Sequence, residues 1–395
     1  MKRLLLMTFI ISMMVLSACQ KDPENHVIYI SKYFESTSIT NSSIELYNPS
    51  DKDVKLDHYT IDIYANGSTE KNYSINLNGV ILSHDFYLIT SNQTSHQILL
   101  EESDFQTDQL LFNGNDVVVL SYKDEIVDII GTIGQAIDFA KDVTLIRKDH
   151  AQTPSSTYIP YDFIMYLPNM FDYIKNNNYP ITNNQNLLDG PRLTDEYREM
   201  PFIDPNNQSL GGGGTIRVNL VSVADGDTAT FASLDGTVTY KVRFFFIDTR
   251  EVQGTGSPNG QPWGYPASAY TKDILNRAKE ENKVIELQSV KGNSLLDGYG
   301  RFLGLVWVDS ELVNYMVVRA GLSDVNDAGL SLDVISMAYH NIPYFAYLRN
   351  AWERAQMNEW GIFTSDPDWN YETGRPILPI NQLPDPRYYD AEIDE

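Results

Sequence analysis

The chain has 395 residues, of which 42% are hydrophobic and 12% aromatic, and its formal net charge is -24 at pH 7. This length and apolar content suit two or three domains with buried cores. A single cysteine excludes a disulfide within the chain, and the scattered positions of the six histidines exclude a histidine-rich zinc cluster defined by spacing.

The N-terminal residues have the pattern of a secretory signal. Two basic residues, Lys2 and Arg3, precede an apolar run at 4–16. The run is too short to span a bilayer as a helix, which takes about 20 residues. We therefore predict that residues 1–18 are a signal peptide that is removed.

The end of this signal resembles the processing box of bacterial lipoproteins. The residues are Leu16-Ser17-Ala18-Cys19, and in that family the cysteine is acylated and becomes the new N-terminus. The alternative is an ordinary secreted protein with an unmodified cysteine near its cleavage site. We favour the lipoprotein, because a lone thiol has no structural use in an oxidising compartment. The resemblance implies a lipid anchor on Cys19 and a position on the extracellular face of the bacterial cell membrane.

Residues 27–175 show an all-β pattern. Short runs rich in Val, Ile and Tyr alternate with turns of Asn, Gly, Ser, Asp and Pro at the close spacing of a sandwich, and no long helix is predicted. Segments 44–49, 110–116 and 127–131 together resemble the lamin-tail domain. That resemblance implies an immunoglobulin-like sandwich, which in bacteria looks like an accessory of surface or secreted hydrolases.

Residues 176–213 have the composition of a linker. Asparagine-rich stretches are followed by a glycine run that starts at 211, and no apolar period is sustained. We therefore expect the flanking domains to move independently. A chain of residues 212–365 should then fold alone.

Residues 214–365 predict an α+β domain built on a closed OB-fold barrel. Strands are expected near 216–220, 238–246, 284–287 and 302–308, and helices near 266–279, 312–320 and 343–358. The pair Asp235-Gly236 predicts a tight β-hairpin that sets residue 228 opposite residue 243. The acidic, proline-rich tail, residues 366–395, is predicted to be disordered.

Charged residues of the types found at metal and phosphate sites lie at the open end of this hairpin. They belong to three short segments, Asp225-Gly226-Asp227-Thr228, Arg243 and Asp248-Thr249-Arg250-Glu251. A hard cation such as calcium takes oxygen ligands, and a guanidinium can bind two phosphate oxygens at once. The alternative is an acidic loop at the strand ends with an arginine in a surface salt bridge. The spacing of the whole set favours a metal and phosphate site.

The same stretch resembles the staphylococcal nuclease (thermonuclease) family. The family pattern is Asp-Gly-Asp-Thr, an arginine five residues before Asp-Thr-Pro-Glu, and a later Tyr-Gly-Arg, which residues 297–301 supply here as Asp-Gly-Tyr-Gly-Arg. The resemblance covers roughly residues 214–365. One departure is Arg250, where the family usually has proline, and a second is the segment after Leu322, which lacks the tyrosines that stack on the nucleotide in some members.

The resemblance implies a calcium-dependent phosphodiesterase that acts on DNA or RNA. Calcium would be held by Asp227, Asp248 and the carbonyl of Thr249. Such a ligand set leaves positions for water and a phosphate oxygen. The family breaks the 5′ P–O bond and leaves 3′-phosphates.

The remaining roles concern proton transfer, charge and substrate contact. Glu251 would orient or deprotonate the attacking water. Arg243 and Arg301 would neutralise the charge that accumulates on the phosphate, and Tyr299 would contact the substrate. No obligate protein partner is indicated.

The strongly acidic composition is not concentrated in the predicted nuclease. Residues 27–175 contain 9 basic and 21 acidic residues, whereas residues 214–365 contain 13 basic and 17 acidic residues. Local arginines can therefore still capture phosphate. The competing hypothesis is a catalytically silent surface lipoprotein that binds nucleic acid or a wall polymer. The presence of both arginines, both aspartates and the glutamate favours the enzyme.

Overall fold

The computed structural model describes residues 26–176, 187–202, 210–253 and 260–364, together with the residue pairs 369–370 and 375–376. The predicted signal peptide and Cys19 lie outside the described residues, as does most of the tail predicted to be disordered. In the tail, Trp369–Asn370 pairs with Arg375–Pro376 in a short antiparallel ribbon. In the part of the chain that is described, no helix combines the length and the apolar character needed to cross a membrane.

Two large β-sheets with a common core make up most of the N-terminal region, and the short strands Val54–Lys55 and Val80–Ile81 pair separately. One has six strands, in the spatial order β12 (Phe163–Tyr166), β11 (Thr144–Arg147), β1 (Tyr29–Phe34), β2 (Ser43–Tyr47), β7 (Phe86–Ser91) and β8 (Phe105–Thr107). The other has four, in the order β10 (Glu125–Ile130), β9 (Val117–Tyr122), β4 (Tyr59–Tyr64) and β5 (Tyr73–Asn76). Buried aliphatic side chains of both sheets, such as Ile44, Leu46, Ile61 and Val119, belong to one hydrophobic cluster. The all-β prediction is confirmed, while the immunoglobulin-like arrangement stays a prediction.

The bounds of these strands follow the short apolar runs of the sequence. They are β1 Tyr29–Phe34, β2 Ser43–Tyr47, β3 Val54–Lys55, β4 Tyr59–Tyr64, β5 Tyr73–Asn76, β6 Val80–Ile81, β7 Phe86–Ser91, β8 Phe105–Thr107, β9 Val117–Tyr122, β10 Glu125–Ile130, β11 Thr144–Arg147 and β12 Phe163–Tyr166. A single short α-helix, α1 at Gln97–Glu102, is described among them.

The C-terminal region contains a closed five-stranded barrel. Its strands follow the order β15 (Thr239–Phe244), β14 (Thr228–Ser233), β13 (Thr215–Val223), β17 (Ile285–Ser289) and β18 (Phe302–Val308). Strand β15 closes onto β18 by parallel pairing, with Val242 opposite Phe302. Alternate side chains such as Val218 and Leu220 are buried inside, because successive residues of a strand face opposite sides. The predicted barrel is thus confirmed and is consistent with an OB-fold.

The bounds of the remaining elements are as follows. The strands are β13 Thr215–Val223, β14 Thr228–Ser233, β15 Thr239–Phe244, β16 Ile247–Thr249, β17 Ile285–Ser289, β18 Phe302–Val308, β19 Glu311–Leu312, β20 Ser323–Val325, β21 Ala338–Tyr339 and β22 Ile342–Pro343. The helices are α2 Asp195–Glu199, α3 Gly264–Glu280, α4 Val313–Arg319, α5 Leu332–Ile335 and α6 Tyr344–Met357.

The described parts of the predicted linker, residues 176–213, pack against the barrel. Leu193 and Tyr197 are 4% and 7% exposed and belong to the same hydrophobic cluster as the barrel strands. Arg198 donates from Nε to Glu286 Oε1 on β17 at 3.1 Å and from Nη2 to Oε2 at 3.0 Å. The expectation of a flexible linker is corrected for these residues. Isolated apolar side chains can pack against the barrel although the sequence around them has no sustained apolar periodicity.

The two regions also contact each other directly. The backbone N–H of Leu167 donates to the carbonyl of Asn341 at 2.8 Å, and Arg349 on α6 donates from Nη1 to the carbonyl of Phe139 at 3.2 Å. Tyr166 on β12 lies in the hydrophobic cluster of the barrel. These contacts do not fit the expectation that the two domains move independently. The domain boundaries themselves stay predictions.

Candidate active site

The hairpin β14–β15 sets the geometry of the site. Thr228 lies opposite Arg243, which confirms the predicted register, and the N–H of Phe244 donates to the carbonyl of Asp227 at 2.8 Å. The turn at its other end closes through a hydrogen bond from Gly236 N to Ser233 O, with Gly236 at a φ of 72° that glycine adopts without strain. Asp227 and Arg243 therefore meet at the open end, as predicted.

Asp227 is a buried carboxylate, 2% exposed, with both oxygens engaged. Oδ2 accepts hydrogen bonds from the N–H of Thr249 at 2.8 Å and from its hydroxyl at 3.0 Å. Oδ1 accepts from the hydroxyl of Thr228 at 3.1 Å and pairs with Nη1 of Arg243. The carboxylate thus ties the start of β14 to the end of β16.

Arg243 joins the two aspartates of the motif. While Nη1 pairs with Asp227, Nη2 pairs with Oδ1 of Asp248, whose side chain is 58% exposed. The two carboxylates therefore lie within reach of one guanidinium. The backbone N–H of Asp248 donates to the hydroxyl of Ser323 at 2.9 Å, because β16 pairs with β20 at this point.

The turn before Asp227 is packed against helix α3. A Cβ on Gly226 would lie 2.8 Å from Cβ of Ala267 and from Cγ2 of Thr249, so only glycine fits there without a shift. The buried hydroxyl of Thr271 donates to the carbonyl of Gly226 at 2.7 Å. Helix α3 thus supports the loop that presents Asp227.

The segment 297–301 brings Arg301 to the same end of the barrel. Its Nη1 donates to the hydroxyl of Thr228 at 3.3 Å, and its Nε donates to Oδ2 of Asp297 at 2.7 Å. Partial burial opposes ionisation of Asp297, but the hydrogen bonds from the backbone and side chain of Arg301 lower its pKa overall. Tyr299 is 89% exposed, and its ring centroid lies 5.5 Å from the guanidinium carbon of Arg301.

Glu251 completes the group, two residues beyond β16. Its carboxylate has no hydrogen-bond partner among the described residues. Partial burial raises the pKa of Glu251, and the Asp227 carboxylate raises it further, while Arg243 lowers it. Burial also raises the pKa of Asp225 to about 6, and the neighbouring Asp227 and Glu251 carboxylates add to that rise.

The structure therefore brings seven of the eight predicted residues to one end of the barrel, and the eighth, Cys19, lies outside the described part. The seven are Asp227, Arg243, Asp248, Thr249, Glu251, Tyr299 and Arg301. Their roles stay predictions. Asp225 and Asp297 lie inside the quoted motifs but have no role predicted from the sequence. Thr271 and Ser323 were not predicted either, because their contacts with the site depend on tertiary structure that no local pattern shows.

Comparison with known proteins identifies part of this region. Residues 241–335 match the family model described as Staphylococcal nuclease homologue. Over 112 residues, the chain is 36% identical to the SPbeta prophage-derived endonuclease YokF of Bacillus subtilis (strain 168), and over 112 residues 34% identical to endonuclease YncB of that organism. Each match covers 28% of this chain, and the matched lengths are 34% of YokF and 48% of YncB.

The chain therefore spans about a third and about half of the length of these two curated relatives. The family match includes Arg243, Asp248, Glu251 and Arg301, while Asp227 precedes it. Residues 241–335 therefore match the staphylococcal nuclease homologue family, and strands β13 and β14 of the same barrel precede the matched segment.

Proposed function

We propose that this protein is a calcium-dependent nuclease that hydrolyses phosphodiester bonds of DNA or RNA and leaves 3′-phosphates. The observation that carries the proposal is the convergence of two arginines, two aspartates and a glutamate from four separate segments at one end of the barrel. The family match and the names of the two relatives support a nuclease.

The donor set fits a hard divalent cation. In the described part of the chain, no group of three or more His, Cys, Asp and Glu side chains is arranged to hold a metal. The proposed set has only two carboxylates, Asp227 and Asp248, with the Thr249 carbonyl as a third oxygen. Calcium takes six to eight oxygen ligands, so the remaining positions go to water and substrate. When bound, calcium supplies Lewis-acid stabilisation of charge on the phosphate.

The chain's own residues account for the other requirements of phosphodiester hydrolysis. The Glu251 carboxylate, which has no hydrogen-bond partner among the residues that the structure describes, can accept a proton from the attacking water, and its raised pKa suits a general base. Arg301 is held by Asp297, so its outer nitrogens are oriented before a phosphate arrives. Arg243 would exchange its two carboxylate partners for phosphate oxygens, which a planar guanidinium can bind in pairs.

The test is cleavage of labelled DNA and RNA with calcium and with excess chelator. We expect calcium to support cleavage and chelation to abolish it. Asp227→Asn should steeply weaken the activation of cleavage by calcium, because the side chain that binds the ion loses its charge. A matched control is Asp273→Asn, which makes the same change in an ion pair on the exposed side of α3. Cleavage that continues in excess chelator, or substrate binding without any cleavage, would contradict the proposal.

We further propose that acylation of Cys19 anchors the protein to the outer face of the cell membrane, and that residues 27–175 are an immunoglobulin-like, lamin-tail type accessory. The support is the processing-box pattern before Cys19 and the two-sheet core. Cys19→Ala should move the protein from the membrane fraction to the medium or leave it unprocessed, because stable anchoring depends on the acyl chains. Mass spectrometry of the mature N-terminus is the measurement. An unmodified cysteine in wild type would refute the anchor.

A further inference from the structure

Arg250 lies between the proposed metal ligand Thr249 and the proposed base Glu251. Its Nη1 donates to Oδ2 of Asp324 at 2.7 Å. Asp324 is on β20, directly opposite Asp248 on β16, and its Oδ1 accepts from Nε1 of Trp352 at 3.3 Å. Both oxygens of Asp324 are therefore used, one by helix α6 and one by the residue that precedes Glu251.

Glu251 is also held on its other side, through its backbone. Its N–H donates to Oε1 of Gln261 at 2.9 Å, and its carbonyl accepts from the N–H of Gln261 at 2.8 Å. A Cβ on Gly264 would lie 2.3 Å from that carbonyl, so the start of α3 approaches Glu251 closely. The carboxylate itself lacks a hydrogen-bond partner in the described part, so its direction depends on how the backbone of 250 and 251 is held.

We propose that Arg250 is a positioning residue: through its ion pair with Asp324 it fixes the backbone that leads into Glu251, and so directs the Glu251 carboxylate. This inference rests on the proposed nuclease function. The pair is of small value for stability, because the side chains of Arg250 and Asp324 are 39% and 36% exposed. Its effect on catalysis is larger, because a misplacement of about 1 Å can cost about 100-fold in rate.

The first variant is Asp324→Asn, which removes the charge but keeps a carbonyl oxygen for Trp352. We expect turnover to fall about tenfold or more, while KM and the calcium midpoint change less than about twofold and the melting temperature stays within about 2 °C. The matched control is again Asp273→Asn, whose pair with Arg277 has comparable exposure and lies more than two helical turns along α3 from Gly264, the residue that approaches Glu251. It should leave all of these quantities unchanged.

The second variant adds Arg250→Pro to Asp324→Asn. Proline holds φ at about -65°, and it favours an extended residue before it, which Thr249 at the end of β16 already is. Residue 250 is not among the residues with a left-handed φ, the conformation that would rule out a proline ring there. We expect the double variant to recover most of the lost turnover, because the ring replaces the constraint that the ion pair supplied.

Hydrogen exchange at the Glu251 amide gives a readout that does not depend on activity. Asp324→Asn should speed this exchange several-fold, and the double variant should slow it again. A rise in KM at constant turnover would overturn the proposal and make Arg250 a substrate contact. Unchanged exchange, or the absence of rescue in a well-folded double variant, would also overturn it. An inactive wild type would contradict the proposed nuclease, while the exchange measurement would still decide whether the ion pair holds Glu251.

Discussion

The two aspartates of the motif differ in their surroundings, although the sequence presents them as equivalent ligands. Asp227 is 2% exposed and accepts hydrogen bonds from Thr228 and Thr249, whereas the side chain of Asp248 is 58% exposed. Arg243 is the cationic partner of the buried carboxylate, so its removal leaves a buried charge uncompensated. Substitutions of Arg243 are therefore expected to lower folding stability together with the rate of hydrolysis. Arg301 is the cleaner probe of charge stabilisation.

Arg301→Ala should lower turnover far more than it weakens substrate binding. An arginine that acts mainly in the transition state is commonly worth about 10³ to 10⁵ in rate, or roughly 4 to 7 kcal/mol. Arg301→Lys should rescue little, because an ammonium cannot bind two oxygens in one plane. Steady-state kinetics on a short DNA substrate is the measurement, with Arg277→Ala on the exposed side of α3 as the control. Near-wild-type turnover in Arg301→Ala would make this arginine a surface charge.

Local elements were predicted well from the sequence, because their signals are local. Asp235-Gly236 predicts the hairpin and its register, and the helix expected at 266–279 is observed at Gly264–Glu280. The pairing of β16 with β20 was not predicted, since it joins residues 247–249 to 323–325 and each strand has only three residues. The support of the Asp227 turn by α3 was also not predicted, because it too joins residues that lie far apart in the sequence. Both contacts depend on tertiary structure, which no single stretch of sequence records.

The link between α3 and the turn is tested by Thr271→Val. Valine keeps the shape but removes the hydroxyl that donates to the buried carbonyl of Gly226. An unsatisfied buried group costs about 1 to 3 kcal/mol, so the free energy of unfolding should fall by that amount. The calcium midpoint for activity should rise as well, because Asp227 directly follows this turn. Urea denaturation and calcium titration are the measurements.

Thr271→Ser is the matched control, since it retains the hydroxyl and loses only a methyl group, worth about 0.8 kcal/mol when buried. It should keep the wild-type calcium midpoint. If the valine and serine variants lose stability and calcium response equally, the hydrogen bond to Gly226 does not support the site.

At the scale of the whole molecule, composition alone was misleading. Residues 176–213 are rich in Asn and Gly, which predicts a flexible linker, yet Leu187, Leu193 and Tyr197 are buried one at a time against the barrel. Isolated anchors leave no periodic signal for sequence reasoning to detect. The described parts of the segment that joins the two regions thus also belong to the barrel's packing. It follows that a chain beginning at residue 212 lacks contacts that the nuclease domain uses.

This consequence can be measured with two truncated chains, 187–364 and 212–364. The shorter chain loses Tyr197 and Arg198, and the loss of Arg198 leaves Glu286, which is 3% exposed, without its guanidinium partner. Breaking a buried pair costs about 3 to 5 kcal/mol, and Arg198 is 28% exposed, so we expect a loss near the lower end of that range. The midpoint of urea unfolding for 212–364 should therefore lie well below that of 187–364.

Arg198→Ala in the full-length chain is the control and should shift stability in the same direction. Equal midpoints for the two truncated chains would mean that the packed segment adds nothing to the barrel and that the flexible-linker expectation holds after all.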